Sequence, residues 1–587
     1  MKTILKYLKP YKWNILLIFF LVATRAILVL VLPLLLGRLI NEGIGFGNSG
    51  IADPSKIWLY SGYMLIASVL SIVITVFSGF MESNISSKFA KKLRRDYYQK
   101  VQQFSLSEID EFTIGSLITR STNDIKQLQM VVNSLLRLVI LQPVFAIGAV
   151  VFSVLQQPTL SMVLIASVSA LIIMIIIIFS IVIPKFAIVQ ELVDKLNQVI
   201  RENLNGLRVV RAYNTQEKQE TKVVDASKAA RDINVFVNRV ISLMFPVMSI
   251  IMGVTSVVII YLGNEYFLGV IDGFDPGKLI ALQQYAMRAI LAFMFLSFTF
   301  IMIPRALISA RRVEEVLLRK IDIEDPKKPL TIQTPLAGKV SFHSVTFQYS
   351  DAPQAILENI SFTAPAGKTT AVIGSTGSGK STLINLIPRF YDVTSGDIKI
   401  DDVNIKDMKQ DYLHSLIGYV PQQGILFSGS VKENILFGSK ENDEHILKKA
   451  AEISQSEKFI NQFKGSYEYS IAQGGKNVSG GQRQRISIAR AIAKKPKIFI
   501  FDDSFSALDY QTDKELRKSL KKEVPGTKII VAQRINSIKN ADQIVVLEKG
   551  KVAGIGTHKE LLKTSKVYQE IAFSQLSKEE LERWIDQ

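Results

Sequence analysis

Six long apolar stretches, near 15–37, 57–81, 135–156, 160–183, 241–264 and 281–303, constrain this chain more than any other feature. A helix needs about 20 apolar residues to cross a bilayer, and each stretch is long enough. The fourth contains Leu171-Ile172-Ile173-Met174-Ile175-Ile176-Ile177-Ile178, a run set in surroundings too apolar for a soluble surface helix. Backbone polar groups in lipid must be satisfied within their own segment, so the six stretches predict six transmembrane helices. The 48% hydrophobic content of the 587 residues agrees with a chain whose first half is a membrane-spanning domain.

Charge orients the spans. Lys2, Lys6, Lys9 and Lys12 precede the first, segments 82–134 and 184–240 are rich in Lys and Arg, and Arg311, Arg312 and Lys320 follow the sixth. The connections near 41–55, 157–159 and 265–277 hold little positive charge and include Glu42, Asp53, Glu265, Asp272 and Asp275. The positive-inside rule then puts both termini and the two basic segments in the cytoplasm, with three short external loops, in a cytoplasmic (inner or plasma) membrane. It also accounts for the formal charge of +18 without a nucleic-acid partner. Span 1 is too long, and lacks the small-residue cleavage site, for a cleavable signal. There is no Cys to form a disulfide or ligate a metal, and four scattered His do not suggest a His-based metal site.

The two cytoplasmic connections are each about fifty residues long and poor in Gly and Pro. Lys91-Lys92-Leu93-Arg94-Arg95-Asp96-Tyr97-Tyr98 and Glu191-Leu192-Val193-Asp194-Lys195-Leu196 keep helix-compatible spacing. Spans 2–5 are therefore expected to continue as helices into the cytoplasm, with a short turn at each tip. A transmembrane domain over 1–320 is followed by a linker, 321–336, with three Pro and no long apolar run. Segment 337–576 then alternates strands and helices, and 577–587 reads as a short charged helical tail.

Within that alternation, the apolar strand Thr369-Thr370-Ala371-Val372-Ile373 runs into Gly374-Ser375-Thr376-Gly377-Ser378-Gly379-Lys380-Ser381-Thr382, which opens a helix. A glycine-rich turn between strand and helix leaves backbone N–H groups free to cradle phosphate oxygens. Lys380 can reach the β/γ-phosphates of ATP and the Ser381 hydroxyl can ligate Mg²⁺. The fold class is thus multidomain: a six-helix all-α transmembrane domain followed by an α/β P-loop nucleotide-binding domain.

Val478-Ser479-Gly480-Gly481-Gln482, followed by Arg483-Gln484-Arg485 and a helix, carries a resemblance over essentially the whole chain. Residues 340–575 resemble the nucleotide-binding domain of ABC transporters, and 1–320 the six-helix membrane domain of ABC exporters. The resemblance implies that Ser479, Gly480, Gly481 and Gln482 bind, in trans, the γ-phosphate of ATP held by a second half-transporter. It implies that Tyr349 stacks on adenine, that Gln422 touches Mg²⁺ and couples the site to the membrane helices, and that Asp502 holds Mg²⁺ with Ser381. Ser506-Ala507-Leu508-Asp509 resembles the loop by which two nucleotide domains sense each other. Ser107-Glu108-Ile109-Asp110-Glu111-Phe112 and Arg211-Ala212-Tyr213-Asn214-Thr215 resemble the coupling helices, the second reaching the partner's nucleotide domain.

Three positions depart from that pattern. The family's catalytic Glu is Asp503, its switch His is Gln533, and its Glu before the signature is Gln473. Asp is one methylene shorter than Glu, so its carboxylate should fall about 1 Å short, a misplacement that can cost on the order of 10²-fold in rate. A neutral amide supplies neither the charge nor the proton handling of imidazole. The expectation is a site that binds ATP and hydrolyses it slowly, in a heterodimer whose partner carries the Glu and His. This resembles the degenerate-site half of heterodimeric bacterial multidrug exporters, set in membrane lipid and acting on small hydrophobic or amphipathic compounds. Phe293, Met294, Phe295, Phe298, Phe300 and Met302 of span 6, and Arg25 and Arg288 within spans, are candidates to line the path. A homodimeric lipid or peptide exporter and an ATP-gated channel or regulatory subunit are the alternatives. The absence of a peptidase-like segment before span 1 weighs against a leader-processing peptide exporter, and the lack of added regulatory segments together with the short external loops weighs against the channel or regulatory subunit.

Overall fold

The computed structural model of the chain describes residues 4, 6–45, 52–267, 275–332 and 335–575. The expected tail helix 577–587, the outer connection around Asp272, and the side chains of Phe298 and Phe300 lie outside the described residues. The chain divides into two units, one formed by residues up to 102 with 114–319, the other by 103–113 with the residues from 320 on.

The first unit is all helix. Its elements are α1 (Lys12–Arg38) and α2 (Pro54–Val101), then, after the short α3 (Leu106–Phe112) that belongs to the second unit, α4 (Ile125–Ser134) and α5 (Ile140–Gln156). They continue with α6 (Pro158–Asn205), α7 (Leu207–Ala212), α8 (Gln216–Ser242), α9 (Met244–Phe267) and α10 (Pro276–Leu318). Among the described residues, six helical segments are long and apolar enough to cross a membrane, as the sequence predicts. α2 and α6, each of 48 residues, are roughly 70 Å long, well beyond an apolar core of about 30 Å. The third segment is interrupted by π-helical turns at Arg120–Asp124 and Leu135–Val139, and the fifth breaks at Leu243 between α8 and α9.

Small residues and buried polar pairs join these helices, as expected where no hydrophobic force separates helix from lipid. Gly37 of α1 lies against Gly277 of α10 so closely that a Cβ on Gly37 would sit 2.6 Å from the Gly277 carbonyl oxygen. Asn41 bonds both Asp275 and the Gly277 amide there. Deeper in, the Tyr285 hydroxyl donates to the Leu30 carbonyl at 2.9 Å, and Ser167 and Thr255 share a 2.6 Å hydrogen bond between α6 and α9.

Among the described residues, the second unit is built on twelve strands. β1 (Val340–Phe347), β2 (Leu357–Ala364) and β3 (Thr369–Gly374) precede α11 (Lys380–Leu386); β4 (Ser395–Ile400), β5 (Val403–Asn404), β6 (Ile417–Val420), β7 (Gly429–Ser430) and β8 (Ser470–Ile471) precede α12 (Gly480–Ala493). β9 (Ile498–Asp502) leads to α13 (Tyr510–Glu523), and β10 (Thr527–Val531), β11 (Gln543–Glu548) and β12 (Lys551–Gly556) lead to α14 (His558–Thr564) and α15 (Lys566–Phe573). The main sheet has the order β12-β11-β3-β10-β9-β6, parallel except for β12. Burial on both faces explains the apolar runs Ala371-Val372-Ile373 of β3, Ile498-Phe499-Ile500-Phe501 of β9 and Ile529-Ile530-Val531 of β10. An antiparallel sheet, β2-β1-β4-β5, packs its inner face (Val340, Phe342, Ile360, Phe362) into one core with Val372, Ile500 and Val545 of the main sheet. This order brings the ends of β3, β6, β9 and β10 to one edge, where an open parallel sheet binds its ligand.

Candidate active site

The loop after β3 turns on Gly377 and Gly379, with φ of 83° and 94°, in the left-handed region that glycine occupies without strain. Lys380 follows and folds its side chain back under the loop. Its Nζ donates to the carbonyls of Gly374 at 2.9 Å and Ser375 at 2.7 Å, with Ser378 Oγ at 3.5 Å. Burial lowers its pKa from the usual lysine value, while the carboxylates of Asp503 and Asp502 act in the opposite direction. The ammonium is therefore placed inside the phosphate loop, with two acidic groups near enough to feel it.

Ser381 Oγ donates to Asp502 Oδ1 at 3.1 Å, so the hydroxyl and carboxylate expected to share Mg²⁺ meet across β3 and β9. An oxygen-only pair of this kind, leaving further positions to phosphate and water, suits a small hard cation. Among the described residues no group of three His, Cys, Asp or Glu side chains forms an all-protein metal cage. Burial raises the pKa of Asp502 above the usual Asp range, against the Ser381 hydrogen bond; Asp503 raises it further and Lys380 lowers it.

Asp503 stands at φ 44°, a left-handed conformation that Asp tolerates better than most residues, with its N–H on the Val531 carbonyl at 3.0 Å. One carboxylate oxygen, Oδ2, accepts from Gln533 Nε2 at 3.0 Å and faces Gln422 Nε2 at 3.5 Å. Ser506 Oγ donates to the Asp503 carbonyl at 2.8 Å, tying down the turn that follows. Burial raises the pKa of Asp503 as well, opposed by hydrogen bonds from Gln422 and Ser506 and by Lys380 and Arg534. Gln422 after β6, Asp503 after β9 and Gln533 after β10 thus converge on one carboxylate.

Tyr349 is half-buried and sets its ring edge-on to Phe347 (4.8 Å) and Tyr391 (5.3 Å), while its hydroxyl bonds Thr382 Oγ1 at 3.1 Å. Ser479 is the N-cap of α12: its hydroxyl accepts from the Gln482 N–H at 3.3 Å, and Gln482 Oε1 accepts from the Ser479 N–H at 2.9 Å. The serine and glutamine expected to serve a partner's phosphate thus hold their own helix start, with Gly480 open to its surroundings. Gln473 lies in a tight turn with Gly474 at φ 70°.

Sequence reasoning missed Tyr391, whose hydroxyl donates to Asp110 Oδ2 of α3 at 3.2 Å. Glu108 of α3 accepts from the Asp322 N–H at 2.8 Å and bonds Ser105. Of the two segments expected to be coupling helices, the first forms α3 close to the expected bounds; in the second, Arg211 and Ala212 end helix α7 (Leu207–Ala212) and Tyr213-Asn214 lie in the turn beyond it.

Six spans and a phosphate loop at the edge of a parallel sheet, on one chain, define a membrane protein driven by a nucleotide. Residues 15–307 match the family described as the ABC transporter transmembrane region, and 357–506 the family described as ABC transporter. An uncharacterized ABC transporter ATP-binding protein of Mycobacterium tuberculosis (strain CDC 1551) is 33% identical over 97% of both chains. The uncharacterized ABC transporter ATP-binding protein YfiB of Bacillus subtilis (strain 168) is 33% identical over 99% of both. A bacterial Atm1-family ABC exporter, solved with ATP bound, shares the fold at a TM-score of 0.79 and 22% identity, covering 97% of this chain and 99% of its own. The chain belongs to the ABC transporter family. It is a multi-pass membrane protein whose ATP-binding domain is an ATPase serving transport across the membrane.

Proposed function

We propose that this chain is one half of a heterodimeric exporter of small amphipathic or hydrophobic compounds, and that its own ATP site is the slow one of the pair. The observation that carries this reading is the Asp503 carboxylate, whose Oδ2 is bonded by the Gln533 amide with the Gln422 amide beside it. A base must accept a proton from water, and an oxygen already accepting from an amide is poorly disposed to do so. ATP would be held by the loop 374–382, with Tyr349 against the base. Mg²⁺ would be held by Ser381, Asp502 and Gln422 and would neutralise phosphate charge. Binding is thus preserved while proton transfer is impaired.

The partner would supply the Glu and His of the faster site, completed by Ser479, Gly480, Gly481 and Gln482 of this chain. Two exposed apolar surfaces support a second half-transporter. At the α7 tip, Leu207, Val209 and Tyr213 are exposed, the last by 77%. On the nucleotide domain, Phe427 and Phe437 stack at 4.6 Å and are both exposed, which suits the corresponding tip of the partner. Export, rather than uptake, agrees with a relative 28% identical to this chain, a putative export ATP-binding/permease protein of Rickettsia typhi. The charge pattern supports an orientation with both termini and the nucleotide domain in the cytoplasm.

Native mass spectrometry of the tagged chain, purified from its own cells in mild detergent, tests the pairing. A dimer with a second, distinct ABC chain is expected; a dimer of this chain alone would overturn it.

A further inference from the structure

Charge is costly inside a membrane domain and usually faces a cavity or a partner. In the first unit, Arg25 of α1 and Arg137, in the π-helical turn Leu135–Val139, line a common cavity of about 350 Å³. Asn133, Ser134 and Gln142 line it with them, and Leu138, Leu141 and Phe295 form apolar wall. Gln142 is only 6% exposed. Arg25 Nε is buried without a hydrogen-bond partner among the described residues. Glu82 of α2, 3% exposed, lies within electrostatic reach of both arginines but forms no ion pair with either among the described residues. Two guanidiniums against one carboxylate leave a net positive charge. The π-turn that carries Arg137 is an irregularity often kept at functional sites.

We infer that this cavity is a binding site for the head of an amphipathic anion, with a single carboxylate, sulfonate or phosphate held by Arg25 and Arg137. Arginine forks suit such groups, the amides of Asn133 and Gln142 supply further donors, and the wall at Leu138, Leu141 and Phe295 takes the apolar body. Lipophilic cations meet two like charges there and are disfavoured. This names a substrate class for the transport path and so rests on the transporter reading above.

The test is equilibrium binding of radiolabelled decanoate, against decyltrimethylammonium of equal chain length, to the full chain in phosphatidylcholine nanodiscs with empty-disc binding subtracted. Decanoate is expected to bind at least about tenfold tighter than the cation, and Arg25→Gln or Arg137→Gln to weaken it about tenfold, with Arg137→Lys retaining the preference. Gln142→Leu is the second probe should an arginine variant fail to fold, with a several-fold loss expected. Equal binding of anion and cation, or decanoate binding unmoved in variants that stay monodisperse and bind ATP, overturns the site. Competition by phosphatidylglycerol in the disc identifies a lipid headgroup as the anion's source; its absence identifies a free amphiphile, and either supports the site. If decanoate binds as expected but is not moved by ATP when the assembled transporter is reconstituted, the transport reading fails and the site stands.

Discussion

Gln533 donates its side-chain amide to Asp503 Oδ2 across 3.0 Å, so two residues that depart from the family pattern bond each other. One departure fits the other. A shorter acid leaves room, and the neutral amide fills it with a donor aimed at the carboxylate. The pair should behave as a unit. Asp503→Glu or Gln533→His alone is expected to raise ATP turnover only a few-fold, while the two together give more than the product of the separate effects, measured as a double-mutant cycle in steady-state ATPase.

Lys380 is held by loop carbonyls and is the positive charge buried within the loop. Lys380→Ala should weaken ATP binding by about 10- to 100-fold, the loss of one or two charge-assisted hydrogen bonds. Titration with a fluorescent ATP analogue reads this directly, and an unchanged affinity would remove Lys380 from the binding role.

Ser479 caps α12 through the reciprocal bonds with Gln482. Ser479→Ala is expected to cost about 1 kcal/mol of domain stability and to leave ATP affinity at the 374–381 loop unchanged. In the assembled dimer the same change should slow the partner's site, whose phosphate this segment would complete. Thermal unfolding and ATPase of the assembled pair separate the two effects.

Tyr391 touches Tyr349 on one side and Asp110 of α3 on the other. Tyr391→Phe keeps the ring contact and removes the hydroxyl bond, worth about 1 kcal/mol. Amide hydrogen exchange over 104–112 should speed up about fivefold, with ATP affinity unaltered. No change in exchange would mean the Tyr391–Asp110 bond does not hold α3.

His558 is buried, its Nδ1 lies 2.6 Å from the Tyr568 hydroxyl, and burial with Lys539 nearby lowers its pKa to about 4. The unfolded chain takes up this proton near pH 6.5, so stability is full above that value and falls as pH drops from about 6.5 towards 4. The loss is on the order of 3 kcal/mol at the acid end. Thermal unfolding from pH 7.5 to 4.5 should show a steeper acid loss for the native chain than for His558→Gln.

The membrane helices and the phosphate loop were legible because each is written locally. Leu171–Ile178 has no soluble explanation, and Gly377 and Gly379 sit where positive φ is needed. Asp502 was legible as the polar end of a buried strand, Ile498–Asp502. The antiparallel sheet was not fully visible, since only β1 showed a strong strand pattern, while β2, β4 and β5 gain their order by pairing with it or with each other. The departure at Gln533 was readable from the motif, but its bond to Asp503 needed β9 and β10 side by side. Tyr391 carried no local signal, because its role comes from meeting Asp110 across 281 residues. The segment Arg211–Thr215, expected as a helix, spans the end of α7 and a turn with Asn214 at φ 52°, which its side chains alone do not announce.

The central claim is that the Asp503–Gln533 site holds ATP and turns it over slowly. Its most direct test is steady-state ATPase of the purified chain in lipid, beside the Asp503→Glu plus Gln533→His double substitution. Near-silent native protein, with the double substitution raising turnover on the order of 10²-fold, is the predicted result. Brisk turnover by the native chain in a self-paired dimer would contradict it, and would make Asp503 a competent base.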